Sequence, residues 1–307
     1  MMKNPLILMA LLLLFALSGC GGGGGSSGSG NTPTDSLDPR VRAATSTPIP
    51  GGSVIQASTG KEIPAGLPDF DVSTTQKGLT WEVLSDGSLR ILDTVHKDSA
   101  HVYGYWMIVP AEFLVDCPSG ETCEASRVPT WEFGTVEEQI RKFNEALASF
   151  NFGLFANGND PFLQANIQAL TGTATYSGNA YVAHLDFSDK TKIPVVGESS
   201  VLADASLTVD FGDGSDRGSI SGYIDNIDFL NGVRINLNTA AIGPDDSGFY
   251  TGTTATTIDE VSYSGKWGGQ FYGNSGTNQP GSTAGTFGGA VSNGDKAVYG
   301  AFSATRQ

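Results

Sequence analysis

From about Leu170 onwards, apolar residues recur at every second position, and glycines interrupt the runs from within. Leu207, Val209 and Phe211 alternate with Ser206, Thr208 and Asp210. Val261, Tyr263, Trp267 and Phe271 alternate with Ser262, Ser264, Lys266 and Gln270, and Val298 and Phe302 alternate with Tyr299 and Ser303. A period of two places one set on a buried face and the other in water, as in an antiparallel sheet. Eight such runs can be read, at about 171–185, 205–211, 218–225, 232–238, 248–255, 261–272, 283–291 and 297–304. Turn residues such as Gly212-Asp213-Gly214 and Asn293-Gly294-Asp295 separate them. A glycine inside a strand costs stability and marks a tight bend or bulge; Gly178, Gly222, Gly252, Gly265, Gly269, Gly289 and Gly300 all fall there. Eight strands that bend this sharply close into a small barrel whose interior side chains nearly fill, and closure removes aggregation-prone edges. The predicted fold is mainly β. It has a C-terminal eight-stranded antiparallel β-barrel, preceded by a small α+β N-terminal region and a disordered Gly/Ser-rich tether. A membrane barrel is not expected, because the alternation is short and a lipid anchor would be redundant.

The front of the chain has a different task. Lys3 gives a positive n-region, Pro5 to Leu17 is an apolar run, and Leu17-Ser18-Gly19-Cys20 is a lipobox. The apolar run is too short to span a bilayer. The Cys20 thiolate can take a diacylglycerol as a thioether, and its freed α-amine can take a further acyl chain. Each buried CH₂ contributes roughly 0.8 kcal/mol, so two or three chains anchor durably. The competing reading is an ordinary secretory signal with Cys20 incidental.

Four segments follow: a lipoprotein signal peptide at 1–19, a lipidated flexible tether at 20–52, a handle-like α+β region at 53–165 and the barrel at 166–307. Residues 21–30 are Gly and Ser apart from nothing else, and the chain stays rich in Thr, Pro and Ser to about Gly52. About thirty such residues give an r.m.s. reach of about 30 Å. In the handle-like region, Trp81 to Leu84 and Leu89 to Leu92 around Asp86-Gly87 predict a hairpin, and Val102 to Val109 predict a strand ended by Pro110. Thr135 and Glu138 have capping-box spacing, and Ile140, Phe143, Leu147 and Phe150 then mark one helix face.

The formal net charge of −15 repels nucleic acid and anionic lipid. Cys117 and Cys123 flank a turn-rich Pro-Ser-Gly-Glu-Thr, which fits a local disulfide in an oxidising compartment better than a metal site or free thiols. No catalytic constellation stands out, so the chain is not read as an enzyme, and no cofactor or metal is expected. His96 and His101 are placed on a solvated loop or hairpin, and His184 as a packed or rim residue. Asp210, Asp213 and Asp216 lack the order of a calcium loop and fit a hairpin turn, as does Asp245-Asp246-Ser247-Gly248. Tyr103, Tyr105, Trp106 and Trp131 are many aromatics for a small region. Most fit a core; any left exposed are the candidate ligand-binding residues.

The barrel runs resemble a known family. Leu170-Thr171-Gly172-Thr173-Ala174-Thr175-Tyr176-Ser177-Gly178 is similar to the opening strand of the transferrin-binding protein B β-barrel. Tyr263-Ser264-Gly265-Lys266-Trp267-Gly268-Gly269-Gln270-Phe271-Tyr272-Gly273 resembles its strand before the last hairpin, and Pro280 to Gly289 with Gly300-Ala301-Phe302 resembles its closing strands. Tyr103-Gly104-Tyr105-Trp106 and Phe155-Ala156-Asn157-Gly158-Asn159-Asp160-Pro161-Phe162 resemble smaller, transferrin-binding-like solute-binding relatives. The resemblance implies a lipoprotein of the Gram-negative outer membrane, exported to the surface by an outer-membrane translocon. The tether after Cys20 is similar to that of factor H-binding protein, and Gly21 in place of Asp suits an outer-membrane destination. The chain has room for one lobe where transferrin-binding protein B has two, and none of that family's transferrin contacts can be matched. The expected function is binding of an extracellular protein or ligand through the N-terminal region and barrel loops. The alternatives are a lipocalin-like solute carrier using the lumen, or a structural surface coat.

Overall fold

The computed structural model describes residues 53–56, 61–64, 77–147, 151–160, 162, 170–186, 196–213, 218–242, 249–273, 279–292 and 296–307. The signal peptide, Cys20 and the tether, together with Asp216 and 245–248, lie outside these residues.

Two β structures share one seam. The N-terminal sheet contains β1 (Ser53–Gln56), β2 (Lys61–Pro64), β3 (Gly78–Val83), β4 (Leu89–Lys97) and β5 (His101–Val109). A short ribbon, β6 (Leu114–Asp116) with β7 (Arg127–Pro129), precedes α1 (Val136–Leu147) and the last sheet strand, β8 (Asn151–Gly158). The sheet order is β2-β1-β8-β5-β4-β3. The expected hairpin around Asp86-Gly87 is present, with Val83 paired to Leu89 and Gly87 at φ +83°. Asp86 fixes the turn by accepting from the Ser88 amide at 2.9 Å. The expected capping box opens α1: the Glu138 amide donates to Thr135 Oγ1 at 3.3 Å, and the Thr135 amide donates to Glu138 Oε2 at 3.0 Å. Phe150 and the side chains of Ile140, Phe143 and Leu147 lie outside the description, so the predicted helix face does too.

The barrel comprises β9 (Thr173–Asp186), β10 (Val196–Asp210), β11 (Ser219–Asp225), β12 (Ile235–Ile242), β13 (Phe249–Ile258), β14 (Val261–Tyr272), β15 (Ser282–Ala290) and β16 (Lys296–Arg306). All neighbours are antiparallel, and β16 closes on β9 through pairs such as Phe302↔Ala180 and Val298↔His184. The inward set is the alternating apolar set of the sequence, except for Val261, which is exposed at the start of β14. Tyr176, Tyr250, Trp267, Phe271, Phe287 and Phe302 meet in one cluster and are at most 1% exposed.

The expected wet face fails on one side of the barrel. Every residue of β15 is buried, and so are the outward Tyr299 and Ser303 of β16. The cause is the N-terminal sheet, whose strands β5 and β8 lie over β14, β15, β16 and β9. Apart from Tyr299, the outward residues of β15 and β16 are small: Ser282, Ala284, Thr286 and Gly288 on β15, with Ala297, Ala301 and Ser303 on β16. Small side chains let a second layer approach closely, and burying both faces removes the need for polar positions.

Across the seam the two layers are joined by specific bonds. His101 Nε2 lies 2.8 Å from Ser282 Oγ. The Tyr272 hydroxyl donates to Asn157 Oδ1 at 3.3 Å, and Tyr105 stacks on Tyr181 with centroids 6.1 Å apart. The Phe162 amide donates to the Phe271 carbonyl at 2.9 Å, and the Gly273 amide to the Asp160 carbonyl at 3.0 Å. The Tyr272 ring packs so tightly on Gly158 that a Cβ there would sit 2.6 Å from Cγ. His101 is thus only 1% exposed, not a solvated loop residue as its polar neighbours suggested.

Candidate binding surfaces

All four aromatic candidates are interior. Tyr103 and Trp106 are fully buried, and Tyr105 and Trp131 are almost so. Trp106 packs with Val102 and Phe155 on the sheet face away from the barrel. Tyr105 faces the barrel, donates to Asp93 Oδ2 at 2.8 Å and meets Tyr181. Tyr103 stacks on His96, with centroids 4.6 Å apart and planes 10° apart. None of the four can anchor a ligand from outside: Tyr105 joins sheet to barrel, whereas Trp106 belongs to the core on the other face of the sheet. The expected disulfide is present between Cys117 and Cys123, with Cα atoms 6.0 Å apart.

The seam also shifts ionisations. Burial raises the Asp93 carboxyl above its ordinary range, while the Tyr105 hydroxyl bond opposes the rise. Burial lowers the His101 pKa, partly offset by Asp98, whose Oδ1 lies 3.5 Å from Nδ1. That separation is an ion-pair distance, too long for a hydrogen bond. His96 Nε2 lies 3.1 Å from Asp98 Oδ2. Away from the seam, burial and then the Glu124 charge push the Glu132 carboxyl up to about 7. His184 is packed as expected, 2.9 Å from the Tyr263 hydroxyl.

Among the described residues nothing covers the barrel wall opposite the seam, and a groove of about 690 Å³ crosses it over β9, β10, β11 and β12. Strand register fixes its floor. One row runs Ser177, Ser206, Tyr223, Asn236 through three successive strand pairs. The next row runs Thr175, Thr208, Ser221 and ends at a β12 bulge. There Ile220 pairs with Ala240 and Gly222 with Leu237, so Ser221 alone faces Asn238 and Thr239. Both bulge residues are exposed. The bulge is held from inside the barrel: Trp267 Nε1 donates to the Asn238 carbonyl at 2.9 Å. That bond passes over Gly252, where a Cβ would lie 2.5 Å from Nε1. At the rim, Arg234 pairs with Asp225 at 2.8 Å and lays its guanidinium 3.7 Å over the Tyr223 ring. A second recess of about 450 Å³ lies in the 225–234 loop.

This groove was missed from the sequence, yet a signal was present. In Ile235-Asn236-Leu237-Asn238-Thr239-Ala240-Ala241-Ile242, the apolar phase jumps from odd to even positions across Asn238-Thr239. A single phase slip within a strand is what a bulge looks like in sequence.

No family model and no curated protein matches the chain. Among solved structures it is similar to a vaccine-antigen variant of transferrin binding protein B from Haemophilus parasuis Hp5, at 14% identity and TM-score 0.44, covering 83% of this chain and 44% of that one. It is also similar to isotype 1 transferrin binding protein B from serogroup B Neisseria meningitidis, at 15% identity and TM-score 0.39, covering 83% and 43%. A structure described as a surface lipoprotein is matched at 13% identity and TM-score 0.37, covering 83% of this chain and 97% of that one. The chain spans less than half the length of these two transferrin binding proteins.

Proposed function

We propose that the protein is a lipid-anchored lipoprotein of the outer membrane, displayed at the cell surface, that binds an extracellular partner through its outer faces. The observation that carries the binding mode is the filled lumen: Tyr176, Tyr250, Trp267, Phe271, Phe287 and Phe302 occupy the space a carried solute would need. The lipocalin-like alternative is therefore not favoured, and recognition falls to the outside of the N-terminal region, the barrel loops and the open wall. The lipobox at Leu17-Ser18-Gly19-Cys20 and the Gly/Ser tether support anchoring with outward reach.

Radiolabelled palmitate feeding combined with protease treatment of intact cells tests this function. Label on the wild type, its loss in Cys20→Ala, and digestion of the folded region on whole cells are the expected results. An unlabelled product, or one fully shielded until the outer membrane is broken, refutes anchoring or display respectively.

A further inference from the structure

We propose that the groove across β9, β10, β11 and β12 binds a neutral oligosaccharide. The biological use of such a site rests on the surface-display reading above, but the binding chemistry does not.

The groove is distinguished by what lines it. The protein has a formal net charge of −15, yet no charged side chain lines this recess. The outward side chains of both rows are hydroxyls or carboxamides, and carboxylates begin only beyond them, at Asp204, Asp210 and Asp225. Charge decides against the main rivals. An anionic ligand finds no base among the lining residues; the guanidinium at the rim, Arg234, is already paired with Asp225, and the flanking carboxylates repel an anion. A cation would settle on those carboxylates rather than between them. An apolar ligand finds no apolar floor, because Leu207 and Leu237 point into the barrel and are at most 2% exposed. What remains is a neutral ligand dense in hydroxyls.

The geometry suits that class. Serine and threonine hydroxyls rotate to donate or accept, and Asn236 and Asn238 supply fixed donor and acceptor pairs. Short side chains lose little rotamer entropy when a ligand orders them. Tyr223 is the aromatic residue of the two rows, and it is held still: Arg234 covers one face of the ring and is itself tied to Asp225, which leaves the other face for a sugar. A fixed ring beside a polar floor can stack on the C–H face of a sugar while the floor bonds its hydroxyls. The volume, about 690 Å³, is within the usual range of small-ligand sites and accommodates several sugar units. The bulge, locked by Trp267, makes the recess part of the folded barrel and not a product of loop motion.

The test uses the full mature lipoprotein, purified in a detergent without a sugar headgroup. It is applied to an array of neutral and sialylated oligosaccharides of about three to six sugars. Neutral members captured by the wild type are then titrated against Ser206→Trp, which fills the groove, Tyr223→Ala, which removes the stacking ring, and Thr257→Trp, an exposed wall position outside the groove. Circular dichroism and melting confirm folding of each. The expected result is neutral glycan capture by the wild type and Thr257→Trp, a loss of at least about tenfold in Ser206→Trp, and a loss of about tenfold in Tyr223→Ala. If Ser206→Trp does not fold, Asn236→Ala replaces it with the same expectation of weakening. Capture of no neutral glycan, preference for sialylated ones, or undiminished binding by the groove variants overturns the proposal. Because the readout is on purified protein, its failure leaves surface display standing, and failed protease shaving leaves glycan binding standing.

Discussion

The hydrogen bond from the barrel interior to its outer wall makes Gly252 the most informative single position. An alanine Cβ there would sit 2.5 Å from Trp267 Nε1, 2.9 Å from the Asn238 carbonyl oxygen and 3.0 Å from Ala240 Cβ. Two of those three contacts are with the partners of the bond itself. Trp267 is fully buried and hemmed in by Tyr250 and Phe302, with ring centroids 5.2 and 6.3 Å away, so the indole has little room to retreat. Breaking the bond leaves a buried N–H unpaired, which costs about 1–3 kcal/mol. Overpacking adds about 1–3 kcal/mol. Against these, Gly→Ala stiffens the unfolded chain and favours folding by about 0.4–1 kcal/mol. Gly252→Ala is therefore expected to destabilise by about 2–5 kcal/mol in urea unfolding followed by circular dichroism. Trp267→Phe loses the bond without the clash, so Gly252→Ala must cost less in that background than alone, and the double-mutant cycle reads the coupling. A Gly252→Ala protein as stable as wild type, or more so, refutes the link between lumen and bulge, because without the clash the sign itself reverses.

Three other perturbations follow from local geometry. The β13–β14 turn places Asp259 at φ +49° and Glu260 at φ +65°, a turn that favours Asn-Gly; Glu260→Gly should stabilise by about 1 kcal/mol, and an unchanged or lower melting temperature counts against left-handed strain there. Among the described residues the buried Tyr103 hydroxyl has no hydrogen-bond partner, so Tyr103→Phe should leave stability unchanged or raise it by about 1 kcal/mol; a loss above that would mean the hydroxyl is bonded. His101 has its pKa lowered by burial, so the unfolded chain takes up a proton near pH 6.5 while the folded seam resists it, and stability must fall as pH drops below that value. Asp98, His96, Tyr272 and Ser282 are the groups around His101; His101→Gln should flatten the fall between pH 6.5 and 5 in urea titrations, and an equal slope in both proteins would place the dependence elsewhere.

The barrel was legible because its physics is local. Period-two alternation names the inward face, turn residues name the ends, and the Asp86-Gly87 hairpin and Thr135–Glu138 cap need only neighbours a few residues apart. What escaped was non-local. Nothing adjacent to His101 announces Ser282, 181 residues away, so a polar loop was expected where a buried strand residue sits. Tyr103, Tyr105, Trp106 and Trp131 were open to two outcomes, core or anchor, and only tertiary packing, on the barrel for Tyr105 and on the other sheet face for Trp106, decides for core. The groove was hidden for a third reason: short neutral side chains look like ordinary solvated positions until strand register sets them side by side.

The two halves of the barrel wall carry different outward residues, and that difference explains both surfaces. On β15 and β16 the outward residues are mostly Ala, Gly, Ser and Thr, too small and too weakly polar to need water, and the sheet covers them. Their shortness is what lets Tyr105 and His101 approach the barrel, at Tyr181 and Ser282. On β10, β11 and β12 the outward residues are mostly Ser, Thr, Asn and Asp, which would cost free energy if buried unpaired. A sheet docked there would strand those groups, so the polar wall specifies which side of the cylinder the N-terminal region takes as well as which side stays open. Exchanging small apolar for polar outward residues on β15, as in Ala284→Asn, would therefore weaken the seam without touching the lumen, whereas the same kind of exchange on the open wall is neutral to the fold.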